Sequence, residues 1–362
     1  MVTMKVLFFC GKERSYIRNV MIMQGLRNCG CEIIDCSNES GTYLRRFVRS
    51  LFSAFAARKT GFDFVFIGCL GHYFVPLIRW MTRKPIIFEP FVSMYDTMCL
   101  DRKRFRPDSP AGRVLYWLDR IACTQADRIV LDTDAHCDYF AGSFGLPREK
   151  FIRVLVGADE ALFYPRDVAR DQRKFRVFYY SSYLPLHGTE YIIQAAARLK
   201  QERDIEFIVV GSGLEHEKVR ALADRLGVDN VRFIDWLPYE QLPQEIALSD
   251  LCLGGHFSDI DKARRVIAGK TYQFIAMKKP VIVGDCPANR EIFIDRQNAF
   301  MVRMADAESL ANGILELKAD HVLSEKIAVD GYRTFLAQCD TTAIGRAIEG
   351  IFNKPAAITR AG

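Results

Sequence analysis

The feature that most constrains this fold is an alternation of short apolar runs with amphipathic stretches, which occurs twice along the chain. Strands that alternate with helices form parallel sheets. The sequence therefore predicts an α/β protein of two Rossmann-like, doubly wound domains that face a central cleft. The predicted strands are 6–10, 32–36, 62–68, 85–88, 128–132 and 151–156 in the first half, and 175–180, 206–211, 231–234, 251–254, 280–283 and 299–302 in the second half.

Chain length supports two domains, because 362 residues exceed what one hydrophobic core usually holds. The boundary is predicted at Pro165, before the polar stretch 166–174. We expect an N-terminal domain at 1–165 and a C-terminal domain at 166–340. Residues 341–362 are expected to form a final helix and tail that can cross back to the first domain.

The cysteines and the apolar runs limit the class of protein. Eleven cysteines are scattered without a CxxC motif or a Cys/His ligand spacing, so we expect reduced thiols and no metal site. No apolar run reaches the roughly 18 to 20 residues of a membrane span. The first strand begins so early that no signal peptide is expected, which predicts a cytoplasmic protein.

The whole net charge of +6 lies in residues 1–165, which hold 23 Lys and Arg against 17 Asp and Glu. The surplus is densest in 41–60, where apolar and aromatic residues repeat at helical spacing beside Arg45 and Arg49, and in 102–106. This pattern is typical of a helix on an anionic membrane surface. The alternative is a helix whose aromatic face packs on the sheet. No motif for nucleic acid accompanies the charge, so no nucleic-acid partner is expected.

An anion site is predicted in 262–293. Lys262, Arg265 and Lys270 surround Gly269 at a predicted helix start, where backbone N–H groups and the helix dipole favour phosphate. The strand after this helix delivers Glu291 to the edge where α/β sheets bind ligands. The alternative is an ordinary solvated basic face.

Two glycines support a ligand site in the same domain. Gly211 and Gly213 follow a predicted strand and precede a helix, so the backbone there can approach a base or a phosphate.

In the first domain, Glu89 ends the fourth strand and His72 follows the third. Either side chain can act as a general base, and Glu89 can also stabilise an oxocarbenium ion. The alternative for His72 is a hydrogen-bonded loop histidine.

At this point the chain resembles a known family. The two Rossmann-like halves, the Phe-Tyr-Pro linker, the Gly-Ser-Gly turn and the pattern KxYQxxAxxxPVIxGDxPAxRE at 270–291 resemble GT-B glycosyltransferases, nearest to glycosyltransferase family 4 and its group 1 relatives. The resemblance implies a metal-independent transferase without a cofactor. It also implies a nucleotide-sugar in the second domain, a glycan or lipid-linked acceptor in the first, and retention of anomeric configuration.

The chain departs from this family at two glutamates, which are replaced by Arg265 and Gln273. Gln273 can still bind the ribose, while Arg265 suits the diphosphate together with Lys262 and Lys270. The resemblance further implies that Trp236 lies near the nucleobase. It assigns the loop with Ser182, His187 and Gly188 to the phosphates, with His187 in the place of a lysine. The alternative for His187 is a capping or buried histidine.

These observations predict transfer of a sugar from a UDP- or GDP-linked donor to an acceptor hydroxyl. The predicted pathways are synthesis of cell-envelope polysaccharide, lipopolysaccharide or glycolipid at the inner face of the cytoplasmic membrane. Lys270 and Arg265 would stabilise the leaving diphosphate. The missing glutamates leave open a non-catalytic GT-B scaffold, and a sugar-nucleotide epimerase or phosphorylase is a third alternative.

Overall fold

A computed structural model of the chain describes residues 4–11, 13–37, 43–57, 61–169 and 173–353. Each half contains one parallel sheet, so the predicted α/β class with two doubly wound sheets is confirmed. The first sheet contains β1 (Lys5–Cys10), β2 (Glu32–Asp35), β3 (Phe64–Gly68), β4 (Ile86–Phe88), β5 (Arg128–Leu131) and β6 (Phe151–Arg153). The second contains β7 (Phe175–Tyr180), β8 (Ile205–Val210), β9 (Val231–Ile234), β10 (Leu251–Leu253), β11 (Val281–Gly284) and β12 (Phe300–Val302).

Helices connect the strands as the periodicity predicts. Those of the first half are α1 (Ile17–Asn28), α2 (Tyr43–Ala57), α3 (Phe74–Met81), α4 (Pro110–Gln125) and α5 (Asp134–Phe144). Those that follow are α6 (Thr189–Arg198), α7 (His216–Leu226), α8 (Leu242–Ala247), α9 (Gly269–Ala276), α10 (Ala307–Ala319), α11 (His321–Gln338) and α12 (Thr341–Asn353).

The chain divides into two compact units. The first unit contains residues 1–156 and 341–362, and the second contains residues 157–340. This division lies earlier than Pro165, because the segment before Pro165 packs with the second unit: the ring of Phe163 contacts that of Tyr239 edge to face, with centroids 5.5 Å apart. Helix α12 packs on α1 of the first unit, where Ile348 is buried against Gly25.

The first sheet has the strand order β2-β1-β3-β4-β5-β6. One of its faces is covered by α2, α3, α4 and α5, whose inward side chains share a single apolar core with β1, β3, β4 and β5. Small residues of α2, such as Ala54 and Ala57, take part in this core. The other sides of these helices face away from the sheet.

The second sheet has the order β12-β11-β10-β7-β8-β9, so the direction of winding reverses between β10 and β7. Ligands of open α/β sheets bind beyond the carboxyl ends of the strands at such a reversal. The loops that follow β7 and β10 therefore occupy the position where a ligand site is expected in the second unit.

Local signals explain where several helices begin and end. Ser109 accepts a hydrogen bond from the Gly112 N–H and precedes a proline at the first turn of α4. Thr133 caps α5 in the same way, and Gly145 ends this helix in the left-handed conformation. Within the described residues, no helix has both the length and the apolar character needed to cross a membrane.

Candidate functional site

Two loops of the second unit meet at the reversal of its sheet. The backbone N–H of Phe257, after β10, donates to the carbonyl of His187, after β7, at 3.1 Å. The hydroxyl of Ser258 donates to the Leu186 carbonyl at 2.8 Å. These bonds hold the predicted phosphate loop against the segment that leads to α9.

Lys270 lies in the first turn of α9 and is buried. Its Nζ atom lies 4.4 Å from the ring centroid of Tyr179 and 5.7 Å from that of Tyr180. Burial lowers the pKa of this amine from 10.5 to about 7, so at neutral pH the free protein holds a mixture of charged and neutral Lys270. A bound anion would favour the charged form.

His187 and His256 lie beside this lysine with their rings stacked, 5.4 Å between centroids. Burial, followed by the charge of Lys270, lowers the pKa of both rings, to about 3 for His256. The Nδ1 of His187 accepts from the Leu184 N–H at 3.3 Å, whereas the Nδ1 of His256 has no hydrogen-bond partner among the described residues. Both rings are therefore neutral at pH 7, and His187 matches the capping alternative rather than the replacement of a lysine charge.

Lys262 and Arg265 are brought near the start of α9 by a short 3-10 helix, Asp261–Arg264. Both side chains are buried, and Arg265 forms an ion pair with Asp261 at 2.5 Å. The positive charge of Lys262 also contributes to the lowered pKa of His256, so Lys262 acts electrostatically on the same group of side chains as Lys270. A Cβ atom added to Gly269 would meet no atom within 4 Å, so the helix start borders open space.

Gln273 is buried one turn after Lys270, and both ends of its amide are bonded. Its Oε1 accepts from the Tyr180 hydroxyl, and its Nε2 donates to the Tyr239 hydroxyl at 2.9 Å. The amide orientation is therefore held by two tyrosines. One N–H of Nε2 remains for a further acceptor.

The two glycines after β8 serve the packing of adjacent loops. Gly211 and Gly213 have positive φ angles of 118° and 154°. An added Cβ would lie 1.9 Å from the Ser181 carbonyl oxygen at the first position and 2.0 Å from that of Ser182 at the second. Contact between the β7 and β8 loops therefore accounts for these glycines, and their predicted approach to a ligand stays a prediction.

The remaining predicted residues of the second unit lie nearer the surface. The side chain of Trp236 is 74% exposed, and Ser182 is also exposed. Gly188 adopts a positive φ and closely approaches the Ser258 N–H. Glu291 lies half-buried at the end of a short 3-10 helix after β11, Asn289–Glu291.

Glu89 of the first unit is fully buried instead of facing solvent. Arg18 donates to its carboxylate and also to the carbonyls of Leu155 and Val154, at 2.5 and 2.8 Å. Burial raises the pKa of Glu89 to about 7, although Arg18 opposes this. This carboxylate joins α1 to the strand end of β4 and to the segment after β6. The predicted role as an accessible base does not fit this burial.

His72 is also buried, with its Nε2 atom 3.1 Å from the Asp119 carboxylate and its ring edge-on to Phe88. Asp119 in turn accepts from the Ser93 hydroxyl and from the backbone N–H of Tyr95. His72 is therefore a buried loop histidine beside a carboxylate, although neither of its ring nitrogens makes a hydrogen bond among the described residues. In the part of the chain that is described, no three His, Cys, Asp or Glu side chains are arranged to hold a metal ion.

Sequence reasoning missed three tyrosines, Tyr179, Tyr180 and Tyr239. Tyr179 and Tyr180 end strand β7, and successive side chains of a strand point to opposite sides. The ring of Tyr179 lies over the amine of Lys270, and the hydroxyl of Tyr180 donates to Gln273. The signal available in the sequence was an aromatic pair at a strand end followed by Ser181. It did not reveal which side chains the rings would contact.

Comparison with known proteins shows which family and fold this chain is similar to. Residues 174–320 match the model of the family described as glycosyl transferases group 1. The chain is 22% identical over 250 residues to the alpha-D-kanosaminyltransferase of Streptomyces kanamyceticus, which covers 66% of this chain and 63% of the relative. It is 26% identical over 170 residues to the lipopolysaccharide core biosynthesis glycosyltransferase LpsE of Rhizobium meliloti, covering 46% and 47%. The matches thus span less than two thirds of either relative.

The fold is similar to that of a solved protein along nearly its whole length. Anabaena Alr3699/HepE, crystallised in complex with UDP and glucose, superposes with a TM-score of 0.72 at 17% identity, covering 96% of this chain and 99% of that protein. The GT-B fold and the resemblance to group 1 glycosyltransferases are therefore confirmed. The predicted site residues remain predictions.

Proposed function

We propose that this protein is a glycosyltransferase that moves a sugar from a UDP- or GDP-linked donor to an acceptor hydroxyl. The observation that carries the proposal is the buried, aromatic-lined Lys270 at the start of α9, with Lys262 and Arg265 nearby and open space beside Gly269. The match of this region to group 1 glycosyl transferases and the UDP complex of the HepE protein support it.

In the proposed reaction, the protein stabilises the charge that develops on the diphosphate when the glycosidic bond breaks. Lys270 and Lys262 provide ammonium groups in a site with little solvent, where such charges act strongly. Arg265, which is paired with Asp261, adds a third positive charge near the start of α9. We propose that these cations replace a metal ion and that the anomeric configuration is retained.

Donor recognition is proposed for the side chains around this cluster. Gln273 would offer its remaining N–H to the ribose, in an orientation set by Tyr180 and Tyr239. The neutral His256 would hydrogen-bond the diphosphate through Nδ1. The exposed indole of Trp236 would stack on the nucleobase.

The acceptor is proposed to bind the first unit, with a role in cell-envelope polysaccharide, lipopolysaccharide or glycolipid synthesis. The similarity to a lipopolysaccharide core glycosyltransferase supports this assignment.

We also propose peripheral association with the membrane through α2 and the exposed run 102–106. On α2, Phe52 and Phe55 are 72% and 62% exposed, while Ala54 packs inward. Residues 41, 42 and 58–60 of the predicted membrane segment lie outside the described residues.

A test of the proposal begins with calorimetric titration of the full chain with UDP, GDP, ADP and CMP. We expect UDP or GDP to bind and the corresponding nucleotide-sugar to be turned over when acceptor glycans are supplied. Lys270→Ala should weaken donor binding or turnover by roughly 10- to 1000-fold. Lys200→Ala, which removes an exposed lysine of the same unit, is the matched control and should behave as wild type.

A non-catalytic scaffold is the second candidate, because Arg265 is paired with Asp261 and both ends of Gln273 are bonded to tyrosines. Binding of UDP or GDP without turnover of any UDP- or GDP-sugar across a panel of acceptors would favour the scaffold. Absence of all nucleotide binding at millimolar concentration would contradict both candidates.

A further inference from the structure

The first unit carries an apolar surface that the membrane segments predicted from the sequence do not include. Helices α3 and α4 pack side by side, and Arg79 of α3 donates to the carbonyl of Gln125 at the end of α4. Exposed apolar residues follow one another at helical spacing along each helix. We call this surface the outer ridge, and it consists of Tyr73, the residue that precedes α3, Leu77 and Trp80 on α3, and Val114, Trp117 and Ile121 on α4.

Exposed apolar residues are concentrated on one side of this unit. Trp80 is 89% exposed, and Trp117 lies beneath the guanidinium of Arg120, 5.1 Å from the ring centroid. In the described part of the first unit, every exposed large apolar residue belongs to α2, the outer ridge or the 100–105 segment. Helices α2, α3 and α4 cover the same face of the sheet, so the exposed apolar residues of these three helices share one outer surface. Single exposed apolar residues are ordinary, but aligned sets on neighbouring helices mark an interaction surface.

The charges around the outer ridge are almost all positive. Residues 73–126 contain nine Lys and Arg against five Asp and Glu. Four of these acids, Glu89, Asp96, Asp101 and Asp119, are buried, which leaves Asp108 as the exposed one. Asp108 pairs with Arg106, and the neighbouring Asp127 pairs with Arg79. Burial of the acids therefore leaves a cationic rim, including Arg83, Lys84 and Arg113, around an apolar centre.

We propose that the outer ridge docks on an anionic lipid membrane. Tryptophan favours the boundary between headgroups and acyl chains, and arginine and lysine at the rim attract anionic headgroups. A symmetric contact with a second copy would bring two cationic rims together, which opposes dimerisation through this face. The inference does not depend on the proposed glycosyl transfer, because it concerns only where this unit meets lipid.

Three tryptophans make the test direct, because Trp80 and Trp117 belong to the outer ridge and Trp236 belongs to the second unit. Variants that keep one tryptophan each, with the other two changed to phenylalanine, are mixed with vesicles of phosphatidylglycerol and phosphatidylcholine that contain brominated acyl chains. We expect the fluorescence of Trp80 and of Trp117 to be quenched and that of Trp236 to be unchanged. Quenching of neither Trp80 nor Trp117 in bound protein would overturn the proposal.

Vesicle flotation of the full chain provides the second measurement. Trp80→Ala with Trp117→Ala should lower the partition coefficient about tenfold or more, and vesicles of phosphatidylcholine alone should bind far less protein. The matched control, Trp236→Ala, should partition as wild type. Both ridge tryptophans are exposed, so circular dichroism should show an unchanged fold. Loss of a dimer in sedimentation, with unchanged partition, would identify a second copy as the occupant and overturn the lipid proposal.

Discussion

Binding of UDP should transfer a proton to Lys270, and this makes the affinity depend on pH. Burial lowers the pKa of Lys270 from 10.5 to about 7. At about 1.4 kcal/mol per pKa unit, burial disfavours the ammonium by about 5 kcal/mol. The rings of Tyr179 and Tyr180 offset part of this cost by attracting the cation. A diphosphate beside the amine would offset more and raise the pKa of Lys270 in the complex.

The sign of the effect follows from proton linkage. Above about pH 7 the free protein has lost the proton of Lys270, while the complex retains it up to the higher pKa of the bound state. Affinity should then fall about tenfold per pH unit as the pH rises. From pH 7 to pH 9 we expect a loss of about 50-fold, with uptake of about half a proton at pH 7 and nearly one at pH 8.

Calorimetry in two buffers of different ionisation enthalpy measures this uptake directly. The terminal phosphate of UDP, with a pKa of about 6, is already ionised at pH 8 and does not contribute. Lys270→Arg is the control, because a guanidinium stays charged throughout this range and should show no uptake. His187, His256 and Lys262 remain in that variant, so equal uptake in both proteins would assign the proton elsewhere. Uptake near zero in the wild type at pH 8 would refute the reasoning.

Two further predictions concern stability and are measured by urea unfolding. Gly211→Ala should lower the free energy of unfolding by about 2 kcal/mol or more, because its φ is positive and the new Cβ would overlap the Ser181 carbonyl. Gly142→Ala, in a helix with open space around it, should be neutral or stabilising, and an equal loss there would contradict the steric argument. Ile348→Ala should cost about 2 to 5 kcal/mol, because this side chain is buried where α12 packs on Gly25 of α1. A change below about 1 kcal/mol would show that α12 contributes little to the first unit.

Local periodicity was enough to predict the two sheets. Pro280 ends the preceding helix, because proline cannot continue it. The run 281–283 is apolar throughout, so it predicts a buried parallel strand from local sequence alone. The start of α9 at Gly269 and the cations beside it were also visible, because caps and charges near a helix start are local properties.

Partners of buried polar side chains were not predictable in the same way. The sequence shows that Glu89 and His72 each follow a strand, but it does not show which element will cover them. Arg18 reaches Glu89 from α1, and Asp119 reaches His72 from α4. These contacts join elements far apart in the chain, and they convert two predicted bases into buried structural groups.

Helix α2 shows most clearly what the sequence determines and what the tertiary structure decides. Its sequence determines an amphipathic helix with phenylalanines and arginines, and this pattern is compatible with packing on the sheet or with exposure. Only the tertiary structure decides between them, because it turns toward the sheet the side of α2 that carries Ala54 and Ala57 and leaves Phe52 and Phe55 outside. The sequence by itself thus determined the elements and their order, while the packing distances between elements decided which side chains face solvent, ligand or core.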